Sequence, residues 1–212
     1  MPGGEELRLF RHGADHIIVL DRNELMNTRM SGSEEALATM TCERLGPRKA
    51  THLLIGGYGM GFTLRAALAT LGGDATLTVA EIVPEIIEWA RGPMSALTAG
   101  CLEDPRVDLQ QADVAELIGA GRASYDAILL DVDNGPDGLT RAANDRLYSM
   151  RGLRAAKEAL RPGGVLAVWS AARDPGFTRR LKDAGFAVDE VRVRARSNGK
   201  GGHHVIWFAT LD

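Results

Sequence analysis

Thr51–Leu71, THLLIGGYGMGFTLRAALATL, decides the fold: an apolar strand, a loop carrying Gly56, Gly57, Gly59 and Gly61, then an amphipathic helix. Glycines gather at such a junction because a ligand reaches the backbone only where no Cβ intrudes, and because a tight turn uses φ > 0. The loop opens onto the helix N-terminus, whose unpaired N–H groups and positive dipole end face whatever rests there. The stretch reads as a cradle for a nucleoside cofactor.

Downstream of it, strand and helix patterns alternate. Strands are expected at residues 75–81, 107–111, 124–131 and 165–169, and helices at 82–91, 114–118, 144–160 and 175–184. SYDAILLD, residues 124–131, is the most continuous apolar run, as suits the middle of a parallel sheet covered on both faces. The order then changes: AVDEVRVRAR and HHVIWFATL are joined only by SNGKGG, too short for a crossover helix, so they pair antiparallel. Upstream, LRLFRHGADHIIVL reads as a hairpin followed by a polar turn at 21–24, and SEEALATMTCERLG as a helix capped by Ser33 and stopped by Gly46-Pro47.

The fold class is thus α/β: a doubly wound, mostly parallel, Rossmann-like sheet of seven strands ending in an antiparallel hairpin, with a small N-terminal hairpin and helix added. Residues 1–50 are expected as an appendage able to lid the ligand crevice, and 51–212 as the ligand-binding domain. The ligand belongs beyond the C-terminal strand ends, at the switch point beside the first parallel strand.

The totals narrow the function classes. With 212 residues, 45% hydrophobic and 25% charged, the chain has enough apolar sequence for one core. A net charge of −3 gives no general attraction to nucleic acid or anionic membrane, which leaves a small molecule as the default partner. Cys42 and Cys101 are isolated, and the five histidines form no ligand pattern, so neither a disulfide nor a metal is expected. No run reaches the ~20 apolar residues of a membrane span, and a cytoplasmic location is expected. Exposed edges on the N-terminal hairpin leave room for a homodimer.

Glycine spacing bears on the cofactor. The dinucleotide pattern G-x-G-x-x-G fails at Phe62, whereas G-x-G-x-G is met at Gly57, Gly59 and Gly61. The latter, with the terminal hairpin, resembles class I S-adenosylmethionine-dependent methyltransferases. Glu81, at the end of the second strand, can accept hydrogen bonds from both ribose hydroxyls. Ile82 is placed as half adenine wall and half core, Asp113 near the adenine amino group or as a helix N-cap, and Tyr58 and Phe62 as pocket lining or packing.

LLIGGYGMGFTLR, VAEIVPEIIEWAR, DPRVDLQQAD, YDAILLDVDNGPDG and NDRLYSMRGLRAAKEALRPGGVLAVW together resemble the spermidine synthase family, aminopropyltransferases built on the methyltransferase fold. The resemblance implies that Gly57 and Gly59 lie under the nucleoside, that Glu81 holds the ribose and Asp113 the adenine, and that Asp131 is the catalytic acid. The chain departs from the family at functional positions. Gly59 stands where the family has an aspartate that holds the ammonium of decarboxylated S-adenosylmethionine. The family's glutamine and tyrosine-histidine pair, which meet the amine, are not recognisable in LDRNELMNTRMSGSEEALATM. The acidic loop is compressed, with Asp133 as a stand-in for its second acid.

A carboxylate at Asp131, helped by Asp133, can bind a cationic amine, take its proton and stabilise charge developing on nitrogen. Missing acid at Gly59 favours methyl transfer from S-adenosylmethionine to a small, amine-bearing molecule. Against that stands Ile55, which occupies the place of the usual methyltransferase acid two residues before Gly57. The alternatives are aminopropyl transfer from decarboxylated S-adenosylmethionine to a polyamine, and a non-catalytic nucleoside- or partner-binding protein.

Overall fold

The computed structural model describes residues 6–132 and 145–211. Strands β1 (Leu7–His12), β2 (Asp15–Leu20) and β3 (Asn23–Asn27) make a small antiparallel sheet, followed by helix α1 (Gly32–Leu45). Then come β4 (His52–Gly56), α2 (Phe62–Thr70), β5 (Thr76–Ala80), α3 (Pro84–Arg91), α4 (Ser95–Thr98), β6 (Val107–Gln110), α5 (Val114–Ala120) and β7 (Tyr125–Leu130). The chain closes with α6 (Asp145–Tyr148), α7 (Met150–Ala159), β8 (Leu160–Ser170), α8 (Pro175–Asp183), β9 (Ala187–Arg194) and β10 (His203–Thr210).

The large sheet has the order β6-β5-β4-β7-β8-β10-β9; the first five strands are parallel, and β10 runs antiparallel to both its neighbours. This is the expected α/β architecture. From β4 the chain winds outward through β5 to β6, then returns to start β7 on the other side of β4. The crevice between β4 and β7 is therefore the switch point.

Side-chain alternation divides the core into two layers. Leu53, Ile55, Leu129, Ala167, Ile206 and Phe208 face one layer, with Leu37 of α1 and Leu64 of α2. Leu54, Ile128, Leu130, Leu166, Val168 and Trp207 face the other, with Ile118, Leu153 and Phe177 of α5, α7 and α8. Burying each Leu, Ile, Val or Phe side chain among them contributes roughly 1.5–3 kcal/mol. At the N-terminal strand ends the buried Asp126 accepts from Arg48 Nη1 (3.1 Å), Arg161 Nη1 (2.7 Å) and the His52 backbone N–H (2.8 Å), a clamp on the side away from the crevice.

The structure differs from the sequence-based expectation at several local points. The N-terminal hairpin is a three-stranded sheet, because residues 23–27 pair with β2 across a bulge. Helix α1 packs on α2 and across β8 and β7. Its N-cap position is Ser31; Ser33 is fully buried and bonds His204 Nδ1 at 2.8 Å. The expected helix over 144–160 breaks at Ser149, whose hydroxyl accepts from Gly152 N. Arg161-Pro162-Gly163-Gly164 lies inside β8, which starts at Leu160 where α7 ends.

Candidate active site

Parallel strands deliver their C-terminal ends to one edge of the sheet, and the glycine loop crosses that edge between β4 and β7. Gly57 has φ +87°, donates its N–H to Ala80 O (2.9 Å), and would drive a Cβ into the Asp131 carbonyl oxygen. Only glycine lets the loop pass this close to the end of β7. Gly56 lies against Val114 Cγ2, 2.9 Å from where its Cβ would be, which brings α5 close beneath the sheet. Gly61, at φ +78°, begins α2 and sits against the Tyr58 ring.

Glu81 follows β5 and turns back under the loop. Its Oε2 accepts the Tyr58 backbone N–H (3.0 Å) and its Oε1 that of Val83 (2.8 Å), so both oxygens are oriented and each keeps a lone pair. Burial pushes its carboxyl up, and those two N–H groups pull against the shift. Beside it Ile82 is 49% exposed, one of two large apolar side chains so exposed among the described residues. Asp113 is part-exposed at the end of the next strand and caps α5 through Oδ1, which accepts Ala115 N at 2.8 Å. A bare glycine ledge, a fixed carboxylate and an uncovered apolar side chain suit a nucleoside: ledge for the backbone approach, acid for a ribose, Ile82 for a base.

The Tyr58 side chain goes elsewhere. Its ring is buried, its hydroxyl lies 3.4 Å from Cys101 Sγ, and only its backbone serves the crevice. Burial raises its phenol above the ordinary range. Phe62 is likewise buried in the core.

Asp131 stands one residue past the end of β7. Its backbone N–H donates to Gly56 O (2.9 Å), and its Oδ2 accepts Thr63 Oγ1 (2.8 Å). Burial pushes its carboxyl up to about 6, against the pull of the Thr63 hydroxyl. Asp133, the expected second acid, lies outside the described residues.

Among the described residues, α1 brings a further acid to this end of the sheet. Glu34 sits in the first turn of that helix, and its carboxyl is held well above the usual range, first by burial, then by the charge of Asp131, then by Glu35. Thr63 ties the two segments together: its Oγ1 also lies 3.3 Å from the Glu34 carbonyl, while its single proton goes to the nearer Asp131 carboxylate. The α1 start is held there by the C-terminal hairpin, through Gly32 N to Ala195 O (3.0 Å) and the Ser33–His204 bond. No local signal marks Glu34 in the sequence, because an acid in a first helical turn is ordinary.

Two further residues complete the surroundings. Asp131 and Trp169 each lie one residue beyond the paired Leu130 and Val168, so alternation sends both toward the α1 side. Trp169 is buried, packs edge-on against His204 (4.8 Å between centroids), and its indole N–H has no acceptor among the described residues. Over the loop, Met26 of β3 places its Cε 2.6 Å from where a Gly59 Cβ would be, at φ +55°. The N-terminal sheet thus reaches the glycine loop, and a side chain at Gly59 would have to push the flexible end of Met26 aside.

Comparison with known proteins bears on this geometry. Residues 32–179 match the spermine/spermidine synthase domain. Polyamine aminopropyltransferase 1 of Streptomyces coelicolor is 30% identical over 162 residues, which are 72% of this chain and 29% of that protein. The polyamine aminopropyltransferase of Mycobacterium tuberculosis is 32% identical over 162 residues, 72% and 30% of the two chains. The chain therefore spans less than a third of the length of these relatives. Spermidine synthase from Thermotoga maritima superposes with a TM-score of 0.77 at 21% identity, over 98% of this chain and 70% of that one. The 1,6-didemethyltoxoflavin-N1-methyltransferase of Burkholderia thailandensis gives 0.60 at 20% identity, over 87% and 80%. Both structural likenesses speak to the fold. The match of residues 32–179, which begins at the first residue of α1 and runs into α8, carries the assignment: the chain belongs to the spermine/spermidine synthase family.

Proposed function

We propose that the protein transfers an aminopropyl group from decarboxylated S-adenosylmethionine to a small amine. The observation that carries this reading is the family match across the glycine loop, Glu81 and Asp131. The relatives named polyamine aminopropyltransferases favour it over methyl transfer, the outcome that Gly59 alone suggests.

Gly57 and Gly59 would underlie the nucleoside, Glu81 would hold the ribose hydroxyls, and Ile82 and Asp113 would flank the base. When bound, the donor supplies a carbon activated by a positively charged sulfur, which leaves with the C–S electron pair as a neutral thioether. The attacking nitrogen must arrive neutral and in line, and positioning supplies most of the rate. Asp131 is suited to that task. With its carboxyl near 6 it is ionised at neutral pH, yet basic enough to take the amine proton directly or through water as the N–C bond forms. Its negative charge also stabilises the cation growing on nitrogen.

Incubation with decarboxylated S-adenosylmethionine and a panel of di- and polyamines tests this. The expected result is methylthioadenosine and an aminopropylated amine in equal amounts. Release of S-adenosylhomocysteine from S-adenosylmethionine, with no thioether from the decarboxylated donor, would favour methyl transfer and overturn the reading.

A further inference from the structure

Asp126 and Asp131 lie at opposite ends of β7 and are treated in opposite ways. Asp126 has two guanidinium groups and a backbone N–H. At the crevice end, Asp131 has one hydroxyl, and the Glu34 carboxylate that feels its charge has neither a hydrogen bond nor an ion pair among the described residues. Protein atoms crowd around Glu34 while the residue keeps a part-exposed face. Two acids brought together with no counter-charge are unfavourable in isolation, and a cation entering between them removes both the repulsion and the desolvation penalty. Trp169, with its unmatched indole N–H, is a further unsatisfied polar group on the same side of the sheet.

The ledge that would carry the donor is adjacent: Asp131 touches Gly57 through its carbonyl, and Thr63 is in the first turn of the helix that the glycine loop opens. That loop itself offers no charge, since Gly59 is bare and Met26 covers it. We propose that Glu34 seats the primary ammonium of the donor beside Asp131, and so selects a sulfonium nucleoside lacking a carboxylate over one that has it. This rests on the aminopropyl-transfer reading and adds to it the residue that chooses the donor. A carboxylate brought in by S-adenosylmethionine would meet the Asp131 charge and a second acid at Glu34, with no basic side chain to offset them among the described residues.

The test is calorimetry on wild type and Glu34→Gln with three nucleosides: methylthioadenosine, which has no ammonium, decarboxylated S-adenosylmethionine, and S-adenosylmethionine. Wild type is expected to favour the decarboxylated compound over S-adenosylmethionine by tenfold or more. In Glu34→Gln, its affinity should fall about tenfold, the preference should collapse, and methylthioadenosine should bind within twofold of wild type. Equal weakening of all three nucleosides, or an unchanged preference, would overturn the inference while leaving aminopropyl transfer standing. Failure of wild type to bind methylthioadenosine would overturn both. If Glu34→Gln gives no cooperative melt, Glu34→Asp keeps the charge but draws it back by one methylene; an intermediate loss of preference is expected, and none would refute the assignment.

Discussion

Replacing Asp131 by Asn should make the protein more stable and much less active, with a gain in stability that depends on pH. The folded carboxyl is raised from 3.8 to about 6, mainly by burial. At ~1.4 kcal/mol per unit, ionised Asp131 therefore burdens the folded state by about 3 kcal/mol. The sign follows from the direction of the shift. Below about pH 4 the group is protonated whether folded or unfolded and nothing is lost; as pH rises through about 6 the folded state loses stability, and beyond that the loss is constant. Asn keeps an oxygen that accepts from Thr63, is neutral throughout, and relieves Glu34 of its neighbour's charge. Urea unfolding of wild type and Asp131→Asn at pH 4.5, 6 and 7.5 should show a small difference at the lowest pH, growing to roughly 1–3 kcal/mol in favour of the variant at the highest. Transfer should fall by about 10²–10⁴-fold, the usual range for a lost proton acceptor. A variant less stable than wild type at pH 7.5, or a difference that does not change with pH, would refute the claim that this acid is held ionised without a counter-charge.

The remaining predictions concern the same edge of the sheet. In kcat/KM the acid limb should lie near pH 6, where Asp131 protonates, and in kcat at lower pH, because a bound ammonium stabilises the carboxylate; coincident limbs would argue against cation binding there. Gly57→Ala must place a Cβ at φ +87° against the Asp131 carbonyl, so a loss of about 1–3 kcal/mol in chemical denaturation and of nucleoside binding is expected. Glu81→Gln sets an amide N–H₂ against one of two buried backbone N–H groups, which should cost about 1–3 kcal/mol and weaken methylthioadenosine binding in the same calorimetric assay. Gly59→Asp should displace the flexible end of Met26 at small cost in stability, and combined with Met26→Ala it should restore donor preference to Glu34→Gln. No recovery would show that the loop and α1 do not address the same part of the ligand.

Much of the fold was legible because it rests on local physics. Alternation between apolar strands and capped helices gives the parallel sheet, and the six-residue link before His203 leaves only an antiparallel return. Glycine density and the acids at 81 and 131 point to the crevice because strand ends and close backbone approach leave their mark on a single segment. Tyr58 was less legible: a loop aromatic beside a ligand ledge can turn outward or inward, and the space beneath Gly61 next to Cys101 takes the ring inward. Glu34 and Met26 left no mark at all. Each is ordinary in its own segment; Met26 meets the loop because β3 adds to the N-terminal sheet, and Glu34 comes beside Thr63 and Asp131 because α1 packs on α2.

SYDAILLD carries an acid near each end of one apolar strand, and the two are indistinguishable by residue type. What separates them is direction. In a parallel sheet all N-terminal ends lie on one edge, where Arg48 enters ahead of β4 and Arg161 at the start of β8, so Asp126 finds its cations within the chain. All C-terminal ends lie on the other, where the loop is glycine and the neighbouring helices begin rather than end. Helix starts attract acids, which is how Glu34 comes to sit at the start of α1, and among the described residues neither it nor Asp131 has a cationic partner. A buried acid that the fold has matched holds the fold together; on the proposed reading, the one left without a cation among the described residues at the ligand edge would be answered by the donor. The donor's charge, rather than any residue of the glycine loop, would then complete the electrostatics of the site.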